Sequence, residues 1–217
     1  MMHALEVSGL TVRYGERLDA LKDVNLSVAE GQCVAVVGPN GGGKSTLLKA
    51  VLGLCPVAAG KILVYGKPFD PKTRLVGYVP QYGTMERSFP ITVTEVVESG
   101  AVKGGLHPFS FHTDRSAALG CLEKVGLRDL GNRLVGELSG GQFQRLLIAR
   151  CLAIQPKMLL LDEPTSSVDP QNREHIYRLL DGFRKEGMTI VLVTHDVEAV
   201  QGRVDRSIRL DGRVLDD

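Results

Sequence analysis

Apolar residues recur along this chain with two different periods, and the switch between them outlines the fold. Leu5–Tyr14 and Val24–Val28 alternate apolar and polar positions. That two-residue repeat belongs to strands with one face in a core and one in water, and it predicts antiparallel β-structure. Cys33–Val37 is apolar throughout, which predicts a strand buried on both faces. Lys44–Leu54 follows with apolar residues at helical spacing, and Lys61–Gly66 and Leu75–Gln81 are predicted strands. From about Tyr82 the strand signal stops. Thr92–Gly104 and Asp114–Gly126 are helical in period, separated by a linker with Gly104, Gly105 and Pro108. A further helix is predicted after Ser139, running through Phe143–Ile154. Met158–Pro164 is a buried strand ending in two acids, and Arg173–Gly187 is an amphipathic helix stopped by glycine. Thr189–His195 is another buried strand, Asp196–Val204 a short helix, and Arg206–Asp217 a hairpin turned at Asp211–Gly212. The order predicts a strand–helix core interrupted by a helical insert at roughly residues 82–155.

The most informative chemistry lies between the first buried strand and its helix. Gly38–Thr46 reads GPNGGGKST and fits G-x-x-x-x-G-K-[ST], with Gly38, Gly43, Lys44 and Ser45 at the fixed places. Glycines let the backbone turn tightly and aim several N–H groups inward, and a helix starting near Lys44 adds the positive end of its dipole. Lys44 reaches β- and γ-phosphates in such a loop, and the Ser45 hydroxyl ligates Mg²⁺. A second motif is Leu159–Leu160–Leu161–Asp162–Glu163. Its acids fall at the carboxyl end of a buried strand, the edge where open parallel sheets bind ligands. Asp162 is placed to hold Mg²⁺, directly or through water, and Glu163 to polarise an attacking water. A third is Leu138–Ser139–Gly140–Gly141–Gln142, where Ser139 caps a helix and the glycines leave N–H groups open to an anion.

Bulk properties narrow the class. The chain has 217 residues, which suits one sizeable α/β domain, and 26 basic against 25 acidic residues leave a net charge of +1. No global field favours nucleic acid or an anionic membrane. No run approaches a membrane span, and the N-terminus lacks the basic and apolar regions of a signal peptide. Cys33, Cys55, Cys121 and Cys151 form no C-x-x-C pair. Cys33 and Cys151, in apolar segments, read as small buried hydrophobes, and free thiols fit a reducing cytosol. His3, His107, His112, His175 and His195 are scattered, with no metal-finger spacing.

Taken together, the motifs resemble the ATP-binding subunits of ABC transporters over nearly the whole chain. Leu138–Gln142 is similar to that family's signature sequence, and the other motifs follow in the family's order. The resemblance implies a P-loop NTPase (RecA-like) α/β core with an antiparallel β subdomain and an inserted α-helical subdomain. The core would span residues 1–81 and 156–217, and the helical subdomain residues 82–155. Tyr14 matches the aromatic residue that stacks on adenine, although the stretch between it and the next predicted strand is slightly long. Pro39, Asn40, Gly41, Gly42 and Thr46 complete the phosphate loop; Gly42 replaces the family's usual alanine and keeps every donor. Gln81 matches the glutamine that joins core and insert at the Mg²⁺. Ser167–Val168–Asp169 resembles the D-loop, with Val168 in place of leucine, and Asp169 is counted with the nucleotide contacts. His195 matches the switch histidine at the γ-phosphate. Implied cofactors are ATP and Mg²⁺. Implied partners are a second copy, head to tail, with ATP between one phosphate loop and the other chain's Ser139–Gln142, and a separate membrane permease. The expected place is the cytoplasm, peripheral on the inner face of the cell membrane.

The stretch Phe89–Gly100, FPITVTEVVESG, is similar to the zinc, manganese and iron importers of this family. Locally, Thr92 and Glu95 form a capping-box pattern. The implied function is powering import of a metal ion, with an extracytoplasmic metal-binding protein reached through the permease. The alternatives are an ABC ATPase for an iron chelate, amino acid or lipid, and a soluble non-transport ABC ATPase.

Overall fold

The computed structural model describes residues 2–15, 18–81, 89–101, 115–166 and 168–216. Two sheets organise them. A three-stranded antiparallel sheet has the order β2-β1-β4, from Leu18–Ala29, His3–Tyr14 and Ala59–Val64. A six-stranded sheet has the order β5-β6-β7-β3-β8-β9. Its strands are Val76–Val79, Met158–Asp162, Thr189–Thr194, Cys33–Val37, Arg206–Leu210 and Val214–Asp216. All its pairings are parallel except β8–β9, the closing hairpin.

The continuous apolar runs have the cause expected of a doubly covered sheet. Along β6, Leu159 and Leu161 join one core, while Met158 and Leu160 join the other. Cys33, Ala35 and Val37 of β3 share the first core, and Val34 and Val36 the second. The first core receives α2 (Val93–Ala101), α3 (Arg115–Lys124), α4 (Gly140–Leu152) and α5 (Pro170–Lys185). The second holds α1 (Lys44–Val51) and the antiparallel sheet.

Of the boundaries that differ from the sequence reading, three have a clear local cause. Strand β2 begins at Leu18, not Val24, so Tyr14 pairs directly with Leu18 and the stretch from Leu18 to Asp23 belongs to the strand. A bulge hid this. Leu10 pairs with Val24 and Val12 with Leu21, so Thr11 alone faces Lys22 and Asp23, with Asp23 at φ +48. The extra residue breaks the two-residue alternation. Helix α5 starts at Pro170 because the Asp169 carboxylate accepts the Asn172 N–H at 3.0 Å and proline fits the first helical position. Helix α6 shrinks to Val197–Val200, capped by Asp196 and ended by extended Gln201. The predicted linker with Gly104, Gly105 and Pro108, the start of α3 expected at Asp114, and Ser167, His107 and His112 lie outside the described residues. Among the described residues no helix is long and apolar enough to cross a membrane, and no cluster of His, Cys, Asp and Glu is arranged to hold a metal.

The four cysteines are free. Burial pushes the Cys33 thiol up to about 12, with Asp205 adding to it. Burial likewise pushes Cys151 up to about 12, and its Sγ lies 3.0 Å from the Tyr78 carbonyl. At pH 8 roughly one part in 10⁴ of such a thiol is ionised, and the thiolate is the nucleophile. Iodoacetamide mass mapping of the native protein at pH 8 should therefore leave Cys33 and Cys151 unmodified, and denaturant should open both.

Candidate nucleotide site

The phosphate loop leaves β3 at Val37 and enters α1 at Lys44. Gly43 caps that helix at φ +89, and a Cβ there would meet the Ala20 carbonyl oxygen at 2.7 Å. A Cβ on Gly38 would run into the Leu210 carbonyl oxygen. Both positions exclude any larger residue. The C-terminal hairpin holds the loop from behind: the Gly212 N–H donates to the Gly42 carbonyl at 3.0 Å, and the Lys22 N–H to the Gly212 carbonyl at 2.7 Å. Gly42 keeps its N–H, but here that group turns back to the Pro39 carbonyl at 3.1 Å.

A cavity of about 360 Å³ opens above the loop, lined by Asn40, Gly41, Gly43, Lys44, Ser45, Thr46, Gln81 and Glu163. Lys44 is 6% exposed, and its ammonium donates to the Gly38 and Pro39 carbonyls, each at 2.9 Å. Its Nζ also lies 3.9 Å from Glu163 Oε1. The Ser45 hydroxyl donates to Asp162 Oδ1 at 2.8 Å, and the Tyr78 hydroxyl to Oδ2 at 3.4 Å. Burial raises the Asp162 carboxyl above the ordinary range, against the pull of those two hydrogen bonds, and Glu163 alongside raises it further.

Glu163 leaves β6 in the left-handed region at φ +51. That conformation costs a non-glycine residue about 1–3 kcal/mol and recurs at functional sites. The Glu163 N–H fixes it by donating to the Val193 carbonyl on β7 at 3.0 Å. The turn aims the carboxylate across the sheet edge at His195, whose Nδ1 lies 3.0 and 2.8 Å from its two oxygens. The fold therefore brings Lys44, Ser45, Gln81 and Glu163 to one cavity, with Asp162 joined to it through Ser45 and His195 through Glu163. Tyr14 is 45% exposed and does not line this cavity; burial raises its phenol, with the Thr46 hydroxyl and Cys55 as its neighbours.

The remaining sequence candidates sit elsewhere. Ser139 and Gln142 close a capping box on α4, with Gln142 Oε1 accepting the Ser139 N–H at 2.9 Å. Gly141 packs against the Asn172 side chain, where a Cβ would clash. Asp169 caps α5, and its bonds from Asn172 hold its carboxyl below the usual range. Neither Ser139–Gln142 nor Asp169 lines the phosphate-loop cavity.

Sequence reasoning missed Tyr78 and Gly212. Tyr78 reaches Asp162 only because β5 lies beside β6, a crossover neighbour distant in sequence. Gly212 carries a turn signal, but nothing in the chain reveals that this turn abuts the phosphate loop.

Sequence and structural relatives of the chain fall in one family. The ABC transporter family profile matches residues 21–166. The zinc transport system ATP-binding protein TroB of Treponema pallidum is 38% identical over 98% of this chain and 80% of its own length. The manganese transport system ATP-binding protein MntB of Listeria monocytogenes is 39% identical over 97% of this chain and 88% of its own. The ATP-binding cassette MJ0796, solved as a dimer in a post-hydrolysis state with ADP and phosphate, superposes with a TM-score of 0.79. It is 32% identical, over 98% of this chain and 97% of the other. With its phosphate loop, paired acids and signature helix in place, the chain belongs to the ABC transporter family and is one of its ATP-hydrolysing cassettes.

Proposed function

We propose that this chain is the ATPase subunit of a metal importer, carrying zinc or manganese inward across the cytoplasmic membrane. The observation that supports it most directly is the near-full-length similarity to TroB and MntB, named for zinc and manganese transport. The capping box at the head of α2, where the Thr92 N–H donates to Glu95 Oε2 at 2.7 Å and the Glu95 N–H to Thr92 Oγ1 at 3.3 Å, lies within the segment that bears the importer-like sequence. Phe89 beside it is 65% exposed and Leu134 41% exposed, an apolar pair suited to a membrane-embedded permease. The permease, the peripheral position on the inner membrane face, and an extracytoplasmic metal-binding protein reached through the permease belong to this reading. So does a division into a core of residues 1–81 and 156–217 and a helical subdomain of residues 82–155.

In this reading Lys44 and the loop N–H groups bind the β- and γ-phosphates, and Tyr14 stacks on adenine. Ser45 and Asp162, whose oxygens already lie 2.8 Å apart, are the hard donors that suit Mg²⁺, with Gln81 on the same cavity wall. The bound ion would draw charge from the phosphate oxygens. Glu163 orients and deprotonates the attacking water, and His195 contacts the γ-phosphate. One chain leaves that phosphate open to solvent, so a second chain's Ser139, Gly140, Gly141 and Gln142, together with Asp169, close over it in a two-fold pair.

Whole-cell elemental analysis tests the cargo. Cells carrying Glu163→Gln in place of the native chain, grown in metal-poor medium, should show a selective fall in zinc or manganese. Unchanged metals in cells that express the variant would overturn the metal assignment and return the cargo to the iron-chelate, amino-acid and lipid classes.

A further inference from the structure

The segment that follows His195 is fastened to α5 at both ends. At the near end Arg173 Nη1 lies 3.0 Å from Asp196 Oδ2. The other oxygen of that carboxylate accepts the Ala199 N–H at 3.0 Å, and the Asp196 N–H donates to Thr194 Oγ1 at 3.0 Å. At the far end Arg203 pairs with Glu174 at 2.8 Å and lies over the Tyr177 ring, 5.0 Å from its centroid. The Tyr177 hydroxyl is in turn 3.5 Å from Thr165 Oγ1, two residues past Glu163. Helix α5 thus touches both loops that present the Glu163–His195 pair.

His195 needs such support. Strand β7 ends at Thr194, and the imidazole is half exposed, so neither sheet pairing nor core packing holds it. Besides the ring's contact with Glu163, the backbone beside it is anchored at Asp196, held on one side by Thr194 and α6 and on the other by Arg173. We propose that Arg173, acting through Asp196, is a positioning residue that keeps His195 aligned with Glu163 for ATP hydrolysis. The pair is more than a third exposed on the Arg173 side, so it adds little to folding stability. Its effect falls on geometry, to which rate is far more sensitive: a displacement of about 1 Å can cost about a hundredfold. The inference rests on the assignment of His195 to the γ-phosphate.

The test uses the full chain and steady-state ATP hydrolysis by Arg173→Ala, Arg173→Lys, Asp196→Asn and His195→Ala. Asp196→Asn keeps an oxygen for the α6 cap and loses only the charge, so it decides the matter if Arg173→Ala folds poorly. Arg173→Ala and Asp196→Asn should lower kcat about tenfold and leave the KM for ATP within about twofold. Arg173→Lys should recover most of the rate, since an ammonium can meet the same single oxygen. In histidine-labelled NMR spectra, the His195 ring signal (assigned by its loss in His195→Ala) should move in Arg173→Ala and return in Arg173→Lys. Native kcat in the Arg173 and Asp196 variants, with His195→Ala impaired, would overturn the positioning role and leave His195 in place. A kcat loss with an unmoved ring signal would also overturn it. Native turnover by His195→Ala would instead remove the assignment on which the inference depends.

Discussion

Glu163→Gln should bind ATP, pair through it, and hydrolyse it about 10²–10⁴-fold more slowly than the native chain. The substitution keeps size and hydrogen-bonding reach while removing the negative charge that draws a proton from water. The site around it should survive. The left-handed turn at φ +51 is held by a backbone bond to Val193, which the side chain does not enter. The amide oxygen can still accept from His195, and Lys44, which loses a partner 3.9 Å away, keeps its bonds to the Gly38 and Pro39 carbonyls. Phosphate release measured beside equilibrium ATP binding separates the two properties. Turnover within threefold of the native rate would strip Glu163 of its assigned role. Slow turnover with equally weak binding would point to a collapsed site.

Lys44→Ala should weaken ATP binding about 10- to 100-fold, the worth of one charge-assisted phosphate contact. Lys44 is buried, and its ammonium bridges the Gly38 and Pro39 carbonyls at 2.9 Å each. Those carbonyls are weaker partners than a polyphosphate, so the side chain is held near its working position by bonds it can exchange. Its loss also leaves Glu163, only 7% exposed, without its nearest cation. The variant should therefore lose binding and some stability together, whereas Glu163→Gln keeps binding. Titration with a fluorescent ATP analogue gives the affinity, and a melt in the absence of nucleotide gives the stability. Affinity within twofold of native would refute the phosphate contact.

Local rules determined much of this protein before any coordinates. CVAVV and MLLLD must be covered on both faces, and β3 and β6 send alternate residues into two cores. GPNGGGKST must make its turn, since Gly38 and Gly43 have no room for a Cβ. The caps at Thr92 and Ser139 formed as their spacing required. Bulges defeat such rules because one extra residue inverts the alternation, so the pattern alone starts β2 six residues late. A cap followed by proline defeated the start of α5 for a similar reason: Pro170 suits a first turn and looks like a helix breaker. What only the tertiary structure decided is which distant segments share an edge. The strand order β5-β6-β7-β3-β8-β9 is not the sequence order, and it brings Tyr78 to Asp162, His195 to Glu163, and, through β8 beside β3, the Gly212 turn beneath Gly42. Periodicity reports which face of a segment is buried. It carries no information about which neighbour buries it, because the apolar faces of these strands are chemically alike and the choice among them is made by the packing of the whole chain.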